Sequence, residues 1–283
     1  MSSHVADGVA SVVGPQRTDD ADTPIGQPRR AYWPFSVVLA LLLLGIAELA
    51  SRGGWVSDLV LPAPSGVVTA LADGFSSGLF WPHIGSTVLA SLAGFSIATA
   101  VALAIAGVLA SVPALERTLL PFIISFQTLP KIAIAPLVIL WLGFGSLGKV
   151  AVVVVVCFFP ILVNSLQGLK IRDRDRYELV KSLGASRWLV FRYLRLPSAT
   201  PYIFAGLHIG IIFSLIGAVT AEFVGSRAGL GYVLLQNKAA FNVPGVFSVL
   251  CLLMVVGLLM DGVMRLVERR FSHWADDVSG TSI

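Results

Sequence analysis

Charge is what this sequence has least of. Asp, Glu, Lys and Arg supply 13% of its 283 residues, against 56% hydrophobic residues and a mean hydropathy of +0.85; a soluble domain carries about 25% charge. Too few charges are present to cover a water-facing surface, which excludes an ordinary soluble domain. Cysteine is nearly absent, with only Cys157 and Cys251. Each sits in an apolar run, where it reads as a small hydrophobe in helix packing and not as half of a disulfide or a metal pair. There are four histidines, and His4 and His273 lie near the chain ends. No grouped set of His, Asp, Glu or Ser-His at one depth is visible, which argues against a membrane-embedded enzyme, and neither a cofactor nor a metal is expected in this chain. The net charge of +4 does not point to nucleic acid either, because the basic residues flank apolar runs as topology signals do.

What the sequence does have is long apolar runs, at 33–50, 84–110, 119–142, 147–166, 203–224 and 246–266. About 20 apolar residues cross a hydrocarbon core, so the pattern predicts an all-α integral membrane protein with six transmembrane helices. Arg29 and Arg30 before the first run resemble a signal peptide. The run is long for that, and no small-x-small cleavage site follows before Arg52, so an uncleaved first span is expected. Residues 1–32 are polar and proline-bearing, a disordered cytoplasmic tail by composition; 275–283 form a short C-terminal tail.

Orientation follows from Lys and Arg. With the N-terminus cytoplasmic, only Arg52, Lys149, Arg227 and Lys238 fall outside and Lys131 falls within a span, leaving every other Lys and Arg inside. Cytoplasmic loops carry such an excess. Both termini are therefore expected in the cytoplasm.

The third run is irregular. Pro121, Pro130 and Pro136 interrupt it, and proline both removes a backbone donor and disfavours helix before itself. Broken backbone at membrane depth needs a protein or cavity neighbour, so this span is expected to face inward. Lys131 lies about 12 residues into it, roughly 18 Å along the axis. Two readings stay open: it attracts an anionic solute in transit, or it pairs structurally with a carboxylate such as Glu222. Glu48 and Glu222 sit near the outer ends of their spans, Glu48 as a solvated end and Glu222 beside a glycine-rich loop that suggests an outer gate. Asn164 and His208 read as interhelical hydrogen-bond partners or cavity lining, and Gly206-x3-Gly210 as a site of close helix approach. In the outer segment, Ser65 is placed to cap a short interfacial helix over 66–79.

Gly143 to Val150 nearly spells a phosphate-binding G-x4-G-K-[ST] loop. Val150 stands where the hydroxyl is required, and no strand precedes the segment. A nucleotide site here is rejected.

The stretch 170–197 holds eight basic residues and the acidic Asp173, Asp175 and Glu178. Tyr177, Val180, Leu183 and Gly184 recur at helical spacing, and Gly184 is suited to the positive φ that ends a helix. Trp188, Phe191 and Leu194 then recur at intervals of three. The physics alone fits a basic loop resting on anionic headgroups equally with a helix-turn-helix offered to a partner.

The order Glu178-Leu179-Val180-x3-Gly184-x9-Leu194-x-Leu196-Pro197 resembles the cytoplasmic-loop signature of binding-protein-dependent ABC permeases, in which a Glu-Ala-Ala triplet, a glycine and a Leu-Pro share this spacing. Leu179 and Val180 replace the two alanines, and Ala185 also fits. The resemblance extends over 83–274. Gln127-Thr128-Leu129-Pro130, Ala135-Pro136-Leu137, Trp141-Leu142-Gly143-Phe144-Gly145, Phe159-Pro160-Ile161-Leu162-Val163-Asn164, Glu222-Phe223-Val224-Gly225 and Gly229-Leu230-Gly231-Tyr232 are similar to its nitrate/sulfonate/taurine branch, as is Leu61-Pro62-x-Pro64-Ser65 within the segment 33–82 that precedes the core.

The resemblance implies a type I importer-like permease whose loop 170–197 couples to an ATPase through Glu178, Leu179, Val180, Gly184, Ala185, Leu196 and Pro197. It implies two ATP-binding cassette subunits, an extracytoplasmic binding protein and a second permease copy. Gln127, Pro130, Lys131, Asn164, His208 and Glu222 are the candidate pathway or gate residues. The expected solute is small and anionic, of nitrate, sulfonate or taurine type; the alternative is a pyrimidine, riboflavin-type or aromatic-acid solute. An ion-coupled carrier would call for repeats and clustered midplane charges, and Lys131 alone is thin support for one.

Overall fold

The computed structural model describes residues 33–57, 59–170 and 174–272; the two terminal tails read from composition lie outside them. Internal contacts divide the chain at Gly45, into residues 1–45 and 46–283. In the first unit the described part is the beginning of helix α1 (Trp33–Arg52), which covers the first predicted span. Every regular element among the described residues is helical.

The second unit is organised around α3 (Phe80–Ser111), α6 (Ser146–Leu169) and α9 (Leu196–Gly225). Lipid tails are as apolar as leucine, so helices in a bilayer associate by close packing of small residues. The sequence supplies those residues along one stripe of α9. A Cβ on Gly206 would stand 2.9 Å from the Asn164 Cβ, and one on Gly210 would stand 2.8 Å from the Ile161 side chain. The expected close approach is therefore real, and α6 is the helix approached. Val153, Cys157, Ile161 and Leu162 fill the seam. Cys157 is free, and its thiol donates to the Gly210 carbonyl at 3.2 Å; Cys251 is free too.

Four described helices are long and apolar enough to cross a membrane: α3, α6, the segment Trp188–Gly225 that includes α9, and α11 (Val243–Ser272) over Val243–Phe271. The irregular third run becomes α4 (Pro113–Thr128) and α5 (Lys131–Leu142), bent by 92° at the break; counted as one span, the pair makes five. The break has a local cause. Leu129 precedes Pro130 and takes an extended conformation, φ −63° and ψ 137°, the region to which the proline ring confines its predecessor.

The outer segment departs from the sequence reading. Helix α2 (Pro64–Ser76) begins at Pro64, a position where a missing N–H costs nothing. Ser65 is not its cap. Instead, its N–H and hydroxyl donate to the Glu48 carboxylate at 3.0 and 2.7 Å, and Arg52 grips the same carboxylate at 2.6 Å. Glu48 is thus not a merely solvated end: a carboxylate distant in sequence satisfies the free donors of a helix start. Helix α10 (Leu230–Ala239) precedes α11.

Candidate functional site

The basic loop forms a helix, a glycine turn and a second helix. Helix α7 (Arg174–Ser182) ends where expected: Gly184 adopts φ +80°, and the Ala185 N–H reaches back to the Val180 carbonyl at 3.3 Å, the bond that closes a helix through a left-handed residue. Ser186 then caps α8 (Arg187–Val190), its hydroxyl accepting from the Leu189 N–H at 3.3 Å.

Phe191–Arg195 is π-helical. Pro197 follows it, lacks an N–H and crowds the carbonyl four residues back, so a wider turn relieves the ladder there. Leu196 and Pro197 open α9.

Exposure differs from the expected face. Val180 is half-buried, but α7 stops at Ser182 and leaves Leu183 79% exposed beside Leu179 at 61%. Trp188, stacked on Phe191 at 5.8 Å, is 65% exposed. Glu178 is exposed and Ala185 half-buried. A basic turn thus presents bare apolar side chains between α6 and α9.

Lys131 stands first in α5, immediately past the break. Its ammonium lies 5.4 Å from the Phe159 ring centroid, and Phe126 stacks on that ring at 6.4 Å. Gln127 and Pro130 are exposed at the same break. Asn164 donates to the Pro160 carbonyl of its own helix at 2.8 Å, and so makes no bond across helices through that amide nitrogen.

The Lys131–Glu222 pairing does not form. Glu222 is 1% exposed and its partner is Lys149, with Nζ 3.6 Å from Oε1. The Thr87 hydroxyl donates to the carboxylate at 2.9 Å and the Gly231 N–H at 2.8 Å. Lys149, 9% exposed, donates to Ser86 Oγ at 3.0 Å and to the Ala228 carbonyl at 2.5 Å. A buried charge is tolerable only when paired and fully hydrogen-bonded, and this cluster meets both conditions. Gly229 is required beside it: its φ is +127°, and a Cβ there would fall on the Glu222 carboxylate. The glycine-rich Gly143 to Val150 segment is a helix–turn–helix junction, ending α5 at Gly143 and carrying Lys149 inside α6. It serves this ion pair.

The structure also gathers titratable groups that the sequence left scattered. His208 of α9 meets Asp261 through Nδ1 at 2.9 Å and Glu268 through Nε2 at 3.0 Å, and Arg265 grips Asp261 at 2.8 Å. The legible signal was the spacing of Asp261, Arg265 and Glu268 on one face of α11. Among the described residues no such group has the makings of a metal site.

Residues 98–273 match the family described as binding-protein-dependent transport system inner membrane component. The riboflavin transport system permease protein of Chloroflexus aurantiacus is 34% identical, over 87% of this chain and 92% of that protein. The putative aliphatic sulfonates transport permease protein of Escherichia coli is 32% identical, over 86% and 93%. In fold the chain is similar to an inward-facing structure of the MetNI methionine ABC transporter, with a TM-score of 0.54 at 21% identity, over 68% of this chain and 93% of that one. Multi-pass apolar helices, the helix–glycine–helix loop and these matches converge, and the chain belongs to the binding-protein-dependent ABC permeases, in the branch of the sulfonate and taurine permeases.

Proposed function

We propose that this chain lines the solute pathway of an ATP-driven importer, with six spans, both termini in the cytoplasm and two copies enclosing the path. The distribution of Lys and Arg supports the orientation, and α1 supplies the sixth span. The helix–glycine–helix turn at 174–190 is the coupling element. It inserts Leu179 and Leu183 into a cleft of an ATP-binding cassette subunit, one per permease copy, while an extracytoplasmic binding protein delivers the solute to the opposite face. ATP hydrolysis resides in that separate chain, and this one carries no cofactor.

The observation that carries the reading is the bare apolar surface on the glycine-closed turn, since exposed apolar side chains bounded by charge mark an interaction site. The solute is a small anion of sulfonate, taurine or nitrate type, drawn by Lys131, whose ammonium lies against the Phe159 ring. A second reading is favoured by the Phe126–Phe159 stack beside that cation and by the riboflavin relative: a planar aromatic solute.

The test is reconstitution with the cognate ATPase, comparing wild type with Leu179→Asp and Glu178→Ala. Loss of ATPase co-purification and of substrate-stimulated ATP turnover is expected. Unchanged turnover in both variants rejects the coupling assignment. Ligand screening of the cognate binding protein with taurine, alkanesulfonates and riboflavin separates the two solutes.

A further inference from the structure

His208 of α9 lies between two carboxyl groups of α11. Its Nδ1 stands 2.9 Å from Asp261 Oδ1, and its Nε2 stands 3.0 Å from Glu268 Oε2. Both ring nitrogens are committed to the neighbouring helix. Apolar contacts flank the site along the seam: Phe204 and Phe271 meet on one side with ring centroids 6.5 Å apart, and Gly257 lies against Leu215 on the other.

The protons in these two bonds can be counted. The second oxygen of Asp261, Oδ2, accepts from Arg265 Nε at 2.8 Å. A guanidinium keeps its charge, so Asp261 is a carboxylate here, and His208 Nδ1 carries the hydrogen that Oδ1 accepts. A neutral ring would then turn a bare Nε2 toward Glu268. A lone pair facing a carboxylate oxygen at that distance is repulsive, so one further proton belongs between Nε2 and Oε2. Imidazole is a stronger base than a carboxylate, and Glu268 is the more exposed of the two acids, so the proton resides on the ring. Imidazolium and guanidinium then balance two carboxylates, the condition under which partly buried charges are tolerated.

Asp261, Arg265 and Glu268 are the charged groups that face the ring among the described residues. On the other elements packed against α9, Lys149 holds Glu222, Lys131 lies against Phe159, Lys170 against Glu116, and Arg195 donates to the Ala110 carbonyl. His83 accepts from the Gly229 N–H at 3.0 Å, and the Cys157 thiol is spent on the Gly210 carbonyl. Asp73 and Lys238 belong to α2 and α10, which meet α11 at Pro244 and Gly245, the end remote from Asp261.

We infer that His208, Asp261 and Glu268 form a binding site for one proton, which clamps α11 to α9 through a doubly protonated imidazole ring. Loss of that proton leaves the site net negative, sets a lone pair against Glu268 and releases the C-terminal part of α11. The clamp is complete at neutral pH and its contribution is lost as the pH rises. It is independent of how transport is powered, so its failure leaves the importer reading intact.

The test uses the full chain in detergent with its histidine ring nitrogens labelled with nitrogen-15. A doubly protonated ring gives two similar nitrogen shifts, and a neutral ring gives two widely separated ones. In neutral buffer the His208 pair should be of the first kind. His208→Gln identifies its signals; should that variant fold poorly, substitution of His4, His83 and His273 in turn leaves His208 by difference. In Glu268→Gln the side-chain amide donates to a bare Nε2, so the ring should become neutral and its two shifts should separate. Raising the pH from neutral to about 9 should lower the melting temperature of wild type by about 2–4 °C more than that of Glu268→Gln. A neutral His208 ring in the wild-type chain overturns the inference, and so does a melting temperature that falls equally with pH in both proteins.

Discussion

Lys149 of α6 and Glu222 of α9 form a buried ion pair, 3.6 Å apart, that also gathers Thr87 of α3 and the backbone of the 228–231 loop. Both side chains are buried, and both take their remaining hydrogen bonds from α3, through Thr87 and Ser86, and from the 228–231 segment. The pair therefore fastens three spans and one loop at a single point.

Removing one partner should cost more than removing both. Lys149→Met or Glu222→Leu alone leaves an uncompensated buried charge, and each is expected to destabilise by about 3–5 kcal/mol. The double variant should recover part of that loss, because the orphaned charge is gone. Thermal unfolding of all four proteins in detergent closes the cycle; strictly additive losses would show that the two groups do not interact.

Gly229→Ala should be among the most damaging small substitutions in the chain. It forces a Cβ onto the Glu222 carboxylate at a φ that side chains rarely adopt, with a cost of at least about 1–3 kcal/mol. Gly107→Ala is the matched control, since a Cβ there meets nothing within 4 Å, and alanine is the better helix former. A lowered melting temperature for the first and an unchanged or slightly raised one for the second are expected.

The break in the third run was legible because its cause is local: three prolines and the residue before Pro130 act through their own backbone. The Gly184 turn was legible for the same reason, the positive φ being a demand that glycine meets at that position. The partners of Glu222 were not. Lys149 looked like a charge flanking a span, and only the packing of α6 against α9 turns it inward. The same holds for Ser65, whose capping role passes to Glu48, and for His208, whose partners lie on α11. Pairings across helices depend on rotation and depth, which a single sequence does not carry.

Lys131→Met should separate function from stability. The Phe159 contact is worth about 1 kcal/mol, so the melting temperature should barely move. Uptake of an anionic solute should fall by roughly tenfold, about 1.4 kcal/mol of lost attraction. Flux equal to wild type would remove Lys131 from the pathway.

The α9–α11 junction should weaken in a definite order. Asp261 bonds both His208 and Arg265, while Glu268, among the described residues, bonds His208 and is more exposed. Asp261→Ala should therefore lower the melting temperature more than Glu268→Ala, and hydrogen exchange at the C-terminal end of α11 should rise in the same order.

The central claim is that this chain conducts while a partner supplies the energy. ATP-dependent uptake into proteoliposomes carrying the chain with its ATPase and binding protein tests it most directly. The account predicts uptake that requires ATP and the binding protein and that falls at least about tenfold in Leu179→Asp. Uptake by the chain alone, driven by an imposed proton or sodium gradient without the ATPase, would contradict it.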